Sequence, residues 1–262
     1  MSEPARIEEL AARLREASRT GTPVPPLSRE APSLTAADAY AIQLVNVRER
    51  LAAGATVRGH KVGLTSKAMQ EMLGVHQPDY GHILDEMLVP DGGAVSVCRF
   101  LQPRVEVEIA FLLGHPLGGE SVGIAEVLAA TTAVAPAIEI IDSRIADWRI
   151  TLVDTIADNA SSGAVVVGPW VALARAPSLP GIAAELCING STVATGAGAA
   201  VLGDPAEAVA WLARALATLG SRLEAGHVVM PGSCTKAIDV RAGDRVEARF
   251  AGLGSVSVVF SS

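Results

Sequence analysis

The stretch Pro103-Arg104-Val105-Glu106-Val107-Glu108-Ile109-Ala110-Phe111 alternates its side chains at the period of a β-strand. Val105, Val107 and Ile109 fall on one face; Glu106 and Glu108 fall on the other, roughly 6.7 Å apart along the strand. Two carboxylates side by side repel each other unless solvent or a cation intervenes. The pattern leaves two readings, an exposed acidic face on an edge strand or a pair of metal ligands. A second apolar run, Ala135-Pro136-Ala137-Ile138-Glu139-Ile140-Ile141-Asp142, has Glu139 embedded in it. A glutamate there is costly unless an arginine pairs with it or a metal binds it. On adjacent strands, Glu106, Glu108 and Glu139 could hold Mg²⁺ or Mn²⁺ and leave positions for water and substrate oxygens. No Cys or His accompanies them at ligand spacing, which disfavours zinc.

Three further segments carry titratable or hydrogen-bonding groups. In Gly59-His60-Lys61-Val62-Gly63-Leu64, Lys61 lies inside an apolar strand. Desolvation would lower its pKa and let it act as acid or base; alternatively its head reaches solvent at the strand end. His76-Gln77-Pro78-Asp79-Tyr80-Gly81-His82 reads as a polar loop, in which Asp79 is either a functional carboxylate or a turn former. The run from Asp154 to Ser162 is dense in small polar groups. It is either an ordinary cap and turn or a means of presenting Asn159 and Ser161 to a ligand carboxylate. Pro231-Gly232-Ser233-Cys234-Thr235-Lys236 has the same two readings, with Ser233 and Thr235 as its hydroxyls. Cys234 as a nucleophile would need a His partner, and no local pattern supplies one.

Outward from these segments, short apolar runs between Gly, Pro and Asp turns predict strands at 56–63, 104–113, 134–142, 162–168, 184–189, 192–197, 227–230, 244–250 and 254–260. Asn189-Gly190 marks a hairpin. Helical spacing covers 4–19. A second helix starts at Thr35, with Asp38 as a capping-box-like partner, and runs to Gly54. Others cover 122–131 and the segment from Asp204 to Gly220. Thr22-Pro23-Val24-Pro25-Pro26 is a stiff linker. These elements predict an α+β chain with a helical segment over 1–55 and a β-rich catalytic domain over 56–262.

Half of the 262 residues are hydrophobic and 19% are charged, so a sizeable core is expected. Only 3% are aromatic, which argues weakly against single-stranded nucleic-acid binding. A net charge of −7 without a basic stripe makes nucleic acid and anionic membrane surfaces poor partners. Cys98, Cys187 and Cys234 make no C-x-x-C pair and read as reduced cytoplasmic thiols. Glu3, Glu8 and Glu9 with no apolar h-region argue against a secretory signal. The most apolar stretch, residues 163–174, contains Pro169 and is too short for a bilayer. The high apolar fraction also suggests surface that a homo-oligomer would cover.

The runs GHKVGLTSKAMQEMLGVHQPDYGHILDEM, LQPRVEVEIAFLL, APAIEIIDSRIADW, DTIADNASS, GDPAEAVAWLA and GLGSVSVVF resemble the 2-hydroxypenta-2,4-dienoate hydratases. These form part of the hydratase/decarboxylase branch of the fumarylacetoacetate hydrolase superfamily. The resemblance covers about residues 35 to 260 and implies a mixed β-roll or sandwich core with flanking helices. It places Glu106, Glu108 and Glu139 on metal-ligand positions, Lys61 in the active-site strand, and Asp79 and Ser161 in active-site loops. The implied reaction converts a small 2-hydroxydienoic acid, chelated through its carboxylate and 2-oxygen, into a 4-hydroxy-2-oxo acid. Lys61 and Asp79 are its candidates for proton transfer; Ser161 and Asn159 are its candidates for positioning, and Ser233 and Thr235 for substrate binding. Members are usually oligomers, and a complex with a pathway decarboxylase or aldolase is a further implied partner. The competing activities are decarboxylation of 4-oxalocrotonate, hydrolysis of acylpyruvates, and a silent partner subunit. The retained glutamates and Lys61 argue against the last.

Overall fold

The computed structural model of the chain describes residues 3–66, 70–71, 74–75 and 77–262; His76 lies outside them. Among the described residues, fourteen strands form two curled sheets. In the larger, β2 (Asp79–Leu84), β1 (Val57–Gly63), β11 (Val228–Met230), β5 (Arg104–Leu113), β6 (Thr131–Ile141), β7 (Ser162–Val167) and β3 (Leu88–Val89) follow one another. β12 (Ile238–Asp239) joins β5, and β8 (Val171–Ala172) joins β6. The smaller sheet runs β10 (Ser191–Ala197), β9 (Ala183–Ile188), β13 (Arg245–Phe250), β14 (Gly254–Ser261), β4 (Ala94–Ser96).

β5 is an interior strand, hydrogen-bonded to β11 and β12 on one side and to β6 on the other. The edge-strand reading of Glu106 and Glu108 therefore does not hold. Val105, Val107, Ile109 and Phe111 point into the core between the sheets, where they meet Leu186, Val246, Ala248, Val258 and Phe260. Burying each such side chain contributes about 1.5–3 kcal/mol. The other face of the larger sheet carries a smaller apolar group, Ile83, Ala110, Ala137, Val165 and Met230. Glu108 lies on this second face because it alternates with Val107 and Ile109.

The helices Glu3–Thr20 and Ala36–Ala52 form a layer with its own apolar cluster, in which Leu10, Leu14, Ala39 and Ile42 pack on Ile145, Ile156 and Ala157 from the β-rich part. Thr35 and Asp38 close the predicted capping box: Asp38 N donates to the threonine hydroxyl at 3.2 Å, and Thr35 N donates to the carboxylate at 2.8 Å. The proline linker is tied down, since Val24 exchanges backbone hydrogen bonds with Arg144 and Ala146 at 2.9 and 2.8 Å. Among the described residues, no helix is long and apolar enough to cross a membrane.

The clearest departure from the sequence reading is β2, expected as a loop. It pairs antiparallel with β1 from Val57↔Leu84 to Gly63↔Asp79. Asp79 and His82 meet Thr155 and Gln43 inside the protein, so local polarity did not signal solvent. The two- and three-residue strands β3, β4, β8 and β12 were too short to show a period. The helix Leu152–Ala157 was likewise hidden in a run read as a possible turn.

Candidate active site

The register of β5 and β6 places Glu106 directly opposite Glu139 and Glu108 opposite Ala137. Among the described residues, Glu106, Glu108 and Glu139 form the one group of three or more His, Cys, Asp or Glu side chains with ligand atoms all within 4.8 Å of one another. Glu108 and Glu139 are fully buried and Glu106 is partly exposed. Like charges facing across a ladder destabilise it, and burial adds to the cost. Burial and then the neighbouring Glu139 push Glu106 up to about 7. Burial, Glu139 and Glu106 carry Glu108 well above the carboxylate range. Burial raises Glu139 despite the opposing charge of Lys61.

Lys61 is the cation beside this group, its Nζ 3.4 Å from Glu139 Oε1 and donating to Ala160 O at 2.8 Å. It is buried in the interior of β1, so the solvent-reaching reading does not hold. The expected direction of its pKa shift is also corrected. Burial alone lowers it, but Glu139, Asp79, Glu106 and Glu108 together outweigh desolvation and raise it. Without a bound cation Lys61 is a held ammonium. The sequence showed the desolvation and hid the four carboxylates.

Asp79, at the start of β2, is buried and shifted upward, burial being the main cause and Lys61 opposing it. Its Oδ2 accepts from Thr155 Oγ1 at 3.0 Å, and its Oδ1 has no hydrogen-bond partner. Gly63 makes this packing possible. A side chain there would set its first carbon 2.2 Å from Asp79 Oδ1 and 3.4 Å from Lys61 Nζ.

Ser161 is buried, with its hydroxyl 3.4 Å from that of Thr155. Asn159 has its side-chain amide taken up by the backbone of His82. Its Oδ1 accepts from His82 N at 2.8 Å and its Nδ2 donates to His82 O at 2.9 Å, so its amide holds β2 in place. The loop around 231–235 lies against β5 beside Glu108: Gly232 N donates to Glu108 Oε2 at 2.8 Å, and Cys234 N donates to Val107 O at 2.9 Å. Ser233 and Thr235 are half-buried and turn their hydroxyls onto the backbone of that same loop. Ser233 Oγ donates to Thr235 O at 2.8 Å, and Thr235 Oγ1 donates to Lys236 O at 3.3 Å. Thr155, Gly63 and the Gly232 amide are parts of the constellation that the sequence reading missed. All three stand in runs singled out in the sequence, Gly59–Leu64, Asp154–Ser162 and Pro231–Lys236, but no local pattern marked their roles.

Concavity alone would point elsewhere. A cleft of about 410 Å³ beneath the N-terminal helices is lined by Arg15, Arg19, Arg50, Arg99 and Arg144. None of its lining residues is one of the three glutamates or Lys61. Of its five arginines, Arg15 pairs with Glu8 and Glu49, Arg19 with Glu16, Arg50 with Glu86, Arg99 with the Glu86 carbonyl and Arg144 with Asp158.

Residues 52–260 match the family described as fumarylacetoacetate (FAA) hydrolase, C-terminal. The chain belongs to the fumarylacetoacetate hydrolase family. A family member from Comamonas testosteroni named 2-hydroxyhexa-2,4-dienoate hydratase is 44% identical over the whole of both chains. The 2-keto-4-pentenoate hydratase of Paraburkholderia xenovorans is 43% identical, over 99% of this chain and 96% of that one. Among solved structures, 4-oxalocrotonate decarboxylase from Pseudomonas putida G7, complexed with magnesium and adipate, superimposes with a TM-score of 0.95 at 36% identity, covering 99% of this chain and 98% of that one.

The donor set of this fumarylacetoacetate hydrolase fold fits a hard divalent ion. Among the described residues, six buried side-chain polar atoms lack a hydrogen-bond partner, and four of them are carboxylate oxygens: Asp79 Oδ1, Glu108 Oε1 and both oxygens of Glu139. Buried carboxylates without donors are expensive. A cation among oxygen-only ligands removes that cost and returns the carboxylates to their ionised form.

Proposed function

We propose that this chain is a metal-dependent hydro-lyase that converts 2-hydroxypenta-2,4-dienoate, or a close alkyl homologue, to 4-hydroxy-2-oxopentanoate or its homologue in meta-cleavage degradation of aromatic compounds. One observation carries the reading: carboxylate oxygens of Glu108 and Glu139 that lack a hydrogen-bond partner stand in one group with Glu106, Lys61 and Asp79. Whole-length identity is higher to chains named hydratases than to the decarboxylase, 44% against 36%, which favours hydration. Glu106, Glu108 and Glu139 would hold Mg²⁺ or Mn²⁺. When bound, that ion supplies Lewis acidity, an electron sink for a conjugated 2-oxo acid.

The chain's own groups handle protons. A proton leaves the substrate's 2-hydroxyl and one joins C5, giving the α,β-unsaturated 2-oxo acid. Water then adds its hydroxyl at C4 and its hydrogen at C3. Lys61, beside Glu139, is placed for the exchange at the 2-oxygen: with a cation on the glutamates offsetting the carboxylates that hold its proton, its amine would take the 2-hydroxyl proton and the ammonium so formed would face the 2-oxygen. Asp79, with Oδ1 free and its pKa raised by burial, suits taking a proton from water near the tail. Ser161 orders the polar wall beside Asp79, Asn159 holds β2, and Ser233 and Thr235 border the Glu108 side. The same reading divides the chain into a helical segment, 1–55, and a catalytic domain, 56–262, and places it in the cytoplasm, where the free thiols Cys98, Cys187 and Cys234 suit reducing conditions. It includes a homo-oligomer, which exposed Leu88, Leu128, Trp170 and Leu219 support, and docking to a pathway decarboxylase or aldolase.

The test is loss of dienol ultraviolet absorbance with Mg²⁺ or Mn²⁺ supplied, and a product heavier by one water. Asp79→Asn should lose hydration while ketonisation partly survives, and Lys61→Met should impair both steps. Faster release of carbon dioxide from 4-oxalocrotonate than hydration of the pentadienoate overturns the assignment.

A further inference from the structure

Leu152–Ala157 is a helix of six residues, too short to be stable on its own. Groups from three distant parts of the chain fix it. Asp154 accepts from Ser28 N and Oγ at 3.0 and 2.7 Å. Gln43 Nε2 donates to Ile156 O at 2.8 Å and to Tyr80 O at 3.0 Å. Asp158, just beyond the helix, accepts from Arg144 Nε at 2.5 Å. The next three residues, Asn159, Ala160 and Ser161, take φ values of 54°, 52° and 52°, a left-handed run that non-glycine residues adopt only when the surroundings impose it.

This much restraint sets one side chain with particular care. Ile156 and Ala157 belong to the apolar cluster under the N-terminal helices, and Asp154 is committed to Ser28 and Thr151. Thr155 remains, buried, with its hydroxyl on Asp79 Oδ2 at 3.0 Å and 3.4 Å from Ser161 Oγ. A threonine hydroxyl has one hydrogen. Spent on Asp79, it leaves Thr155 able only to accept from Ser161, so the chain of hydroxyls runs from Ser161 through Thr155 to Asp79. The contact splits Asp79 into a held oxygen, Oδ2, and an oxygen without a partner, Oδ1. Gln43 sets the spacing from behind, because Tyr80 follows Asp79 and Ile156 follows Thr155.

We propose that Thr155 is a positioning residue for the hydration: it fixes the rotamer of Asp79 so that Oδ1 faces the reacting water, with Ser161 completing the relay and Gln43 locking both backbones. This rests on the reading of Asp79 as the base. The experiment uses the full chain with Mn²⁺ supplied and compares wild type, Thr155→Val, Thr155→Ser, Asp79→Asn and the Thr155→Val/Asp79→Asn double variant. Thr155→Val should lower kcat for hydration by roughly 10- to 100-fold, with KM within about threefold and the thermal midpoint close to wild type. Thr155→Ser, which restores the hydroxyl, should recover most of kcat. In the Asp79→Asn background, Thr155→Val should cost nothing further, since Thr155 acts through Asp79. A kcat for Thr155→Val within about threefold of wild type, equal losses in the Val and Ser variants, or multiplicative losses in the double variant each overturn the proposal. Wild type that consumes no dienol overturns the assigned function itself, and the positioning role with it; that outcome is read before any variant is compared.

Discussion

Two buried charge clusters lie a few residues apart in this chain and behave oppositely. Arg144 sits with Asp142 and Asp158 at the end of β6. Its Nε donates to Asp158 Oδ1 at 2.5 Å, its Nη2 to Asp158 O at 2.7 Å and its Nη1 to Ser162 O at 3.1 Å. Asp142 accepts from the backbone of Leu101 and Gln102 at 3.0 and 2.7 Å. No polar side-chain atom of these three residues is left buried without a partner. The cluster at Glu108, Glu139, Lys61 and Asp79 is buried more deeply, yet four of its carboxylate oxygens have no hydrogen-bond partner. Burial of charge therefore does not mark a site by itself. A closed cluster staples segments together, and an open one awaits a ligand.

Breaking the open cluster should affect chemistry most. Glu139→Gln removes an anionic ligand and is expected to cut turnover by roughly three orders of magnitude. The metal-free protein should keep or slightly raise its urea midpoint, because one member of a repelling group is gone. Calorimetric titration with Mn²⁺ should show the lost affinity. Excess EDTA on wild type should reproduce the loss reversibly, and full activity in EDTA would refute the three-glutamate ligand set.

The closed cluster should fail in the opposite way. Asp158→Asn leaves Arg144 buried and short of its partner, at an expected cost of about 3–5 kcal/mol in unfolding free energy. Mn²⁺ affinity of the folded fraction should hardly change. Equal loss of metal affinity in Asp158→Asn and Glu139→Gln would erase the distinction between the clusters.

The smallest expected effect concerns the reverse side of β1. His60 there packs against His82 and His227, with ring centroids 4.7 and 5.8 Å away. His60 Nδ1 is also a buried atom without a partner, but a neutral one. Gln43 Nε2 donates to two carbonyls, so its Oε1 accepts from His82 Nδ1 at 3.0 Å, which places the proton on that nitrogen. Burial, and then His227, lower His82 from 6.5 to about 4. The unfolded chain binds a proton that the folded chain refuses, so stability present above pH 6.5 should be lost toward pH 4. Urea midpoints of wild type and His82→Asn, compared at each pH, cancel the carboxylates' contribution. A difference independent of pH would contradict the burial of a neutral His82.

Legibility followed the range of the interaction. Alternation in Arg104–Leu113 and the apolar frame of Glu139 depend on neighbours in sequence, so both strands and the two-faced placement of Glu106 and Glu108 could be read directly. The Thr35–Asp38 cap and the Asp204 cap of the helix Pro205–Ala217 were equally local. β2 was misread because its polar groups are satisfied by Gln43 and Asn159, 39 and 77 residues from His82. Thr155 stands in the polar run Asp154–Ser162, but only the fold brings it to Asp79, 76 residues away.

The sequence by itself determined the donor chemistry, three carboxylates and a lysine on apolar strands without Cys or His, because residue type and a two-residue period require no partner to be known. Tertiary structure decided which charges remain open. The register that sets Glu106 against Glu139, the four carboxylates that turn the desolvation of Lys61 into a raised pKa, and the hydroxyl that holds one oxygen of Asp79 all arise from segments far apart in the chain. Electrostatic energies in a buried site depend on distances across the fold, which local sequence does not specify.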